Sequence, residues 1–158
     1  MSLDGYVRCT CIRDGQAKPH PLPDRLTLDE TNAPSLTGDP SDEEWDLHDS
    51  WVAESCEHGG FLVSESLGNI TRAKHLREFL RGLQGEPGPK FPLLLKKVVH
   101  DGTHTGDWIP SEDSAELLWE VDLVLGSRDI LSESEKEFFE SMQRLCQASL
   151  ATGNPIVF

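Results

Sequence analysis

The apolar residues of the second half of the chain recur at helical spacing, with each set on one face of its segment. They predict helices over 70–83, 112–125 and 133–151. Asn69 stands where the first helix needs an N-cap, and Ser132 with Glu135 forms a capping box before the last. The apolar run Phe91–His100 fits a helix or a strand, and we expect a helix because Pro92 suits a first helical turn.

The first half of the chain has the alternating pattern of strands. Residues 3–13 are predicted to form one strand, and from Val7 onward the alternation places Cys9 and Cys11 on the same face as Val7. Three further strands are expected over Leu26–Asp29 (returning beside the first), Phe61–Glu65 and Ile156–Phe158 (at an edge). Glu43–Val52 is predicted to be a short helix, and residues 30–42 a long surface loop.

Strands that precede helices in this way predict an α+β fold, a small antiparallel sheet with four or five helices packed around it. The 158 residues are the length of one domain, and the sequence contains no internal repeat and no composition break. We therefore expect a single domain over residues 1–158.

The charge balance narrows the classes of partner. Fourteen basic against 28 acidic residues give a net charge of −14, which disfavours nucleic acid and anionic membranes and favours a basic protein or a cation. No segment has the roughly 20 apolar residues that span a bilayer, and none resembles a signal peptide. Four cysteines are too few for a secreted disulfide scaffold, so we expect a cytoplasmic protein whose thiols are free or bound to metal.

The segment from His100 to Trp108 concentrates polar chemistry in one short loop. It carries two imidazoles, two carboxylates, two hydroxyls and two glycines, which is typical of a shaped loop rather than a tether. We predict that His100, Thr103, Asp107 and Trp108 contribute to a binding site, with Trp108 covering the loop or stacking on a ligand.

Cysteine and histidine residues supply the donors for a metal site. Cys9 and Cys11 share a predicted strand face, Cys56 and His58 precede a diglycine, and His104 lies in the polar loop. Thiolate and imidazole are the ligands that zinc prefers, so these five residues are the candidate ligands and zinc the candidate cofactor. Neither cysteine pair has CxxC spacing, and the alternative is that the cysteines are core residues and the histidines bond to loop backbone.

Catalytic signatures are weak. Cys56 with His58, His100 or His104 and with Asp107 would supply the thiol, imidazole and carboxylate of a nucleophilic catalytic set, but no family signature surrounds Cys56. The sequence also contains no phosphate-binding loop of a nucleotide-binding protein. We assign no catalytic residue.

An acidic patch surrounds an aromatic residue on the predicted short helix. It consists of Asp42, Glu43, Glu44, Trp45 and Asp46, and it either receives a basic partner or is a solvated helix face with the tryptophan turned inward.

Several segments together resemble a family of short, uncharacterised bacterial proteins with no assigned activity. They are Leu3–Cys11, Cys56–His58, Leu67–Ile70 and Gly102–Asp107. Size and charge are also similar to those of immunity proteins, which bind toxins made by the same cell. The sequence therefore favours a protein-binding module, immunity-like or regulatory, that recognises a basic protein. The alternative is a metal-binding protein or a metal-dependent hydrolase that uses the Cys/His set.

Overall fold

A computed structural model of the protein describes residues 2–85, 88, 90–100 and 107–158. The strands are β1 (Ser2–Arg8), β2 (Leu26–Leu28), β3 (Pro34–Leu36), β4 (Phe61–Asn69), β5 (Trp108–Ile109) and β6 (Ile156–Val157). The helices are α1 (Asp42–Glu54), α2 (Ile70–Leu83), a π-helical segment (Leu94–Val98), α3 (Ser114–Leu125) and α4 (Glu133–Thr152). Short 3-10 turns cover Pro23–Arg25, Ser111–Asp113 and Arg128–Ile130. The predicted α+β class is confirmed.

The main sheet has the strand order β4–β1–β6–β5, and every neighbouring pair in it is antiparallel. Val7 of β1 lies opposite Val63 on one side and Ile156 on the other. Helix α4 packs against β1 and β4, and α3 packs on α4. Gly5 allows α4 to pack closely on β1, because a Cβ atom there would lie 2.8 Å from Leu145 Cδ1 and this side chain would have to move.

Strand β1 is shorter than the sequence predicts. It ends at Arg8, so the prediction of a strand over residues 3–13 is wrong beyond that point. The chain turns because the Asp14 N–H donates to Thr10 O, and the N–H groups of the two residues after Gly15 both donate to Cys11 O. Cys9 and Cys11 are nevertheless both buried.

Two further strand predictions are corrected. Strand β2 pairs with β3 in a separate two-stranded sheet and does not return beside β1, so residues 30–42 are not purely a loop. The Asp29 side chain forms this hairpin by accepting the N–H groups of Thr31 and Ala33. Strand β6 is an inner strand rather than an edge, because the two-residue strand β5 lies outside it. Two residues are too few to produce an alternation, and the sequence therefore predicts no strand at Trp108.

The predicted starts of α2 and α4 are confirmed, whereas α3 begins at Ser114, after a 3-10 turn, and not at Glu112. Asn69 caps α2 by accepting the Arg72 N–H, and Ser132 with Glu135 forms the capping box of α4. The ambiguous apolar run is helical in its centre, at Leu94–Val98. The buried Glu120 carboxylate accepts the N–H groups of Leu93 and Leu94, each at 2.9 Å, and so caps that segment from α3. No helix within the described ranges is both long and apolar enough to cross a bilayer.

A second, smaller cluster joins α1 to the segment before β2. The Leu22 N–H donates to His20 Nδ1 (2.9 Å), His20 Nε2 lies 3.1 Å from His48 Nδ1, and His48 Nε2 lies 3.3 Å from Pro34 O. The donor at one end and the acceptor at the other fix both rings as neutral tautomers, each donating from Nε2. Both histidines are buried, and the Trp51 ring stands 4.5 Å from that of His20.

The buried histidine pair predicts a loss of stability in weak acid. Burial lowers the pKa of His20, and the neighbouring His48 adds to the effect. The unfolded chain protonates this residue near its ordinary pKa of about 6.5, so the free energy of unfolding falls as the pH drops below that value, by at most about 1.4 kcal/mol per pH unit. Urea unfolding between about pH 7.5 and about pH 5.5 measures this slope. His20→Gln is expected to have a shallower slope, and equal slopes would contradict the interpretation.

Candidate metal centre

Two segments distant in sequence bring three thiols and one imidazole together. Cys9 and Cys11 follow β1, and Cys56 and His58 follow α1. Their ligand atoms, one from each residue, all lie within 4.8 Å of one another. Four of the five candidate metal ligands therefore meet, and the fifth, His104, lies outside the described residues.

The distances in this Cys/His cluster are close to the edges of a zinc tetrahedron. Cys9 Sγ and Cys56 Sγ are 3.7 Å apart, and Cys11 Sγ is 3.3 Å from His58 Nδ1. Zinc–sulfur and zinc–nitrogen bonds of about 2.3 Å and about 2.0 Å at a tetrahedral angle require about 3.8 Å between two sulfurs and about 3.5 Å between sulfur and nitrogen. Movements of about 1.3 Å or less would bring the other pairs, which lie within 4.8 Å, to the same lengths.

The backbone joins the two segments directly. The Cys9 N–H donates to Gly60 O at 3.2 Å, which extends the β1–β4 pairing by one bond. The turn that carries Cys56 closes through the Gly59 N–H to Cys56 O and the Phe61 N–H to His58 O, both at 3.1 Å. Gly59 and Gly60 have φ values of 57° and 86°, a left-handed backbone that side chains disfavour. The diglycine therefore reverses the chain and returns Cys56 and His58 toward Cys9.

Asn154 fixes the other side of the Cys9 segment. Its Nδ2 donates to Arg8 O (2.8 Å) and Cys9 O (3.3 Å), while its Oδ1 accepts from Arg13 (3.0 Å) and Asn32 (2.9 Å). The residue is 1% exposed. The sequence does not predict this role, because an asparagine between a glycine and a proline after a helix is also an ordinary signal for a helix end.

The three thiols of the Cys/His cluster do not share one electrostatic environment. Burial raises the pKa of Cys11 to about 12, and the neighbouring thiols of Cys9 and Cys56 add to the rise. Burial also raises the pKa of Cys56, but the backbone N–H groups of Gly60 and His58, together with the thiols of Cys9 and Cys11, outweigh it and lower the pKa to about 6. Cys56 is thus the thiolate of the cluster at neutral pH, and it is only half-buried.

His58 forms the outer edge of the cluster. Its side chain is 33% exposed, and its Nδ1 faces Cys11 while its Nε2 points toward Glu57 Oε1 at 3.8 Å. A metal-bound histidine commonly donates its second ring N–H to a carboxylate, and the exposed Glu57 is the carboxylate that faces this nitrogen.

Three described residues of the polar loop lie outside the Cys/His cluster. His100, Asp107 and Trp108 line a cavity of about 490 Å³ together with Lys96, Lys97, Pro110 and Asp113. Strand β6 separates this edge of the sheet from β1. Asp107 Oδ2 lies 3.8 Å from His100 Nε2. Asp107 is the candidate carboxylate for a catalytic set with Cys56, but it is not part of the Cys/His cluster. Thr103 is outside the described residues.

The acidic patch on α1 is divided. Asp42, Glu43 and Asp46 are exposed, and Trp45 is 38% exposed with its ring against His48. Glu44 instead points back, forming an ion pair with Arg25 and accepting the Ser41 N–H of the capping box. Three of the four predicted carboxylates therefore face solvent beside a half-exposed tryptophan.

Comparisons with protein-family models, with curated proteins and with solved structures find no match for this chain. The resemblance to short bacterial proteins stays a prediction, and the site is interpreted from its own geometry.

The environment of Cys56 predicts selective alkylation. In metal-free protein, the rate of its reaction with iodoacetamide should rise with pH to a half-maximum near the pKa of about 6, because the thiolate is the nucleophile. Cys146 serves as the internal control, since burial and the Asp122 charge raise its pKa to about 12. Peptide mass spectrometry measures both rates, and a Cys56 profile with a midpoint at the ordinary thiol value of about 8.5 would contradict the assignment.

Proposed function

We propose that the protein binds one Zn²⁺ ion through Cys9, Cys11, Cys56 and His58. The observation that carries this proposal is the meeting of three sulfurs and one imidazole nitrogen within 4.8 Å, from two segments 45 or more residues apart. The N–H groups of Gly60 and His58 supply the outer hydrogen bonds that stabilise a thiolate ligand.

The composition of the ligand set favours a structural role over a hydrolytic one. Four protein ligands complete the tetrahedral shell of zinc, whereas a hydrolytic zinc keeps one position for water. Three soft thiolates with one imidazole also favour zinc over magnesium or calcium. In this proposal the ion ties the end of β1 to the turn after α1 and reinforces the backbone bond from the Cys9 N–H to Gly60 O. A reducing cytoplasm would keep the thiols available for the metal.

The proposal predicts about one zinc ion per chain in protein purified without a tag, and a lower melting temperature after chelation. Cys11→Ser and His58→Ala should each weaken zinc binding by more than about 100-fold, because losing a ligand costs more than losing an outer-shell partner. Competition with a chromophoric chelator measures the affinity, and cobalt substitution should give the absorption of a tetrahedral thiolate site.

The matched control is Cys146→Ala, which removes the one thiol outside the Cys/His cluster. It should retain the metal stoichiometry of the wild type. Wild-type protein that binds zinc no more tightly than Cys11→Ser would overturn the proposal.

A second candidate function is the binding of a basic protein segment by α1. The observation that favours it is the exposure of Trp45 (38%) and Leu47 (52%) among Asp42, Glu43 and Asp46. Aromatic anchors surrounded by charge are typical of binding hot spots, and the net charge of −14 would speed the approach of a cation-rich partner. This function is compatible with the zinc proposal, because it uses none of the four proposed zinc ligands.

A labelled peptide that alternates arginine with leucine tests this second function by fluorescence anisotropy. Trp45→Ala should weaken its binding by about tenfold, and the affinity should fall as salt is raised. Trp119→Ala on α3 is the matched control, since that tryptophan is 58% exposed, and it should leave the affinity within about twofold. Equal losses in the two variants would indicate nonspecific attraction and reject the α1 face.

A further inference from the structure

We propose that Cys9 and Cys56 are a reversible redox pair: a hydroperoxide converts them to a disulfide, and the disulfide form no longer binds metal. The disulfide is inferred from the geometry of the two thiols. Its effect on metal binding rests on the proposed function, the binding of zinc.

The distances select this pair of sulfurs. Cys9 Sγ and Cys56 Sγ are 3.7 Å apart, so bond formation at about 2.05 Å shortens their separation by about 1.7 Å. The backbone holds the two residues side by side, because the Cys9 N–H donates to Gly60 O within the turn that starts at Cys56. Cys11 Sγ also lies within 4.8 Å of both sulfurs, but it is 3.3 Å from His58 Nδ1.

Accessibility selects Cys56 as the sulfur that reacts first. It is half-buried, whereas Cys9, Cys11 and Cys146 are buried. Redox-sensitive cysteines are accessible to the oxidant and have a resolving cysteine nearby, and Cys9 Sγ stands 3.7 Å from Cys56 Sγ.

The chemistry balances with hydrogen peroxide as the oxidant. The Cys56 thiolate attacks one peroxide oxygen, the O–O bond breaks, and the products are Cys56 sulfenic acid and hydroxide. The Cys9 thiol then attacks the Cys56 sulfur, forms the S–S bond and releases water, with its proton going to the departing hydroxyl. The two sulfurs together lose two electrons, and the peroxide gains them.

Disulfide formation removes two of the four proposed ligands at once. Metal binding requires thiolates, and a sulfur in a disulfide no longer provides one. Cys11 and His58 alone are too few to hold zinc tightly. A thiol reductant restores both sulfurs, so oxidation releases the ion and reduction permits it to return.

The test treats reduced, metal-free protein with an equimolar amount of hydrogen peroxide. Tryptic digestion without reductant, followed by mass spectrometry, should find the peptide of residues 9–13 linked by a disulfide to the peptide that contains Cys56. Cys11→Ser should retain this link, and Cys9→Ser should reduce it by at least about tenfold and leave sulfenic or sulfinic acid at Cys56. Cys146→Ala is the control that should match the wild type. A Cys11–Cys56 link, or overoxidation of wild-type Cys56 without a link, would overturn the proposal.

Zinc measurements on the same samples separate the two proposals. Oxidised protein should bind less than about a tenth of an ion per chain, and reduction should restore about one. If reduced protein binds zinc and peroxide forms no disulfide, the redox pair is wrong and the zinc centre stands. If the disulfide forms but reduced protein binds no zinc, the zinc centre is wrong and only the thiol chemistry remains.

Discussion

The buried Asn154 connects the end of β1 to helix α4, and the rest of the structure depends on this connection. It makes four side-chain hydrogen bonds in a nearly solvent-free position, two of them to the carbonyls at the end of β1. The backbone carbonyl of Asn154 accepts a hydrogen bond from the Ser149 hydroxyl. That hydroxyl in turn accepts one from the Ser114 hydroxyl on α3. A buried polar group is costly unless it is paired, so this fully paired network permits only one arrangement of α4, β6 and the Cys9 segment.

The same constraint determines how the Cys/His cluster is supported. Asn154 holds Cys9 from one side, and the diglycine turn presents Cys56 and His58 from the other. The cluster therefore lies between a rigid hydrophobic core and a short turn, rather than on one continuous element. Phe158 donates its N–H to Asp107 O, so the segment after Asn154 also aligns β5 and the residues of the separate cavity. The two polar regions share a backbone support without sharing a site.

Features with local causes were predictable from the sequence, and those with distant causes were not. The caps at Asn69 and Ser132 depend on residues within three positions, and the structure confirms them. The inner position of β6 depends on pairing between opposite ends of the chain, which a local pattern does not encode. The β2–β3 hairpin is the exception, because its cause, the turn at Asp29, is local, but its three-residue strands are too short to show an alternation. The Cys9 and Cys11 side chains are buried together although the strand ends at Arg8, because the turn after β1 keeps both sulfurs inward. The role of Asn154 left no sequence signal that separates it from a helix end.

The central position of β6 has a consequence for the order of assembly during synthesis. Tyr6 pairs with Val157, about 150 residues later, so the sheet stays open along that side of β1 until almost all of this sequence has left the ribosome. The cysteines and the histidine of the cluster all lie within the first 58 residues. A metal ion captured by the nascent chain would hold the end of β1 near the turn after α1 while the side of β1 that receives β6 is still unpaired.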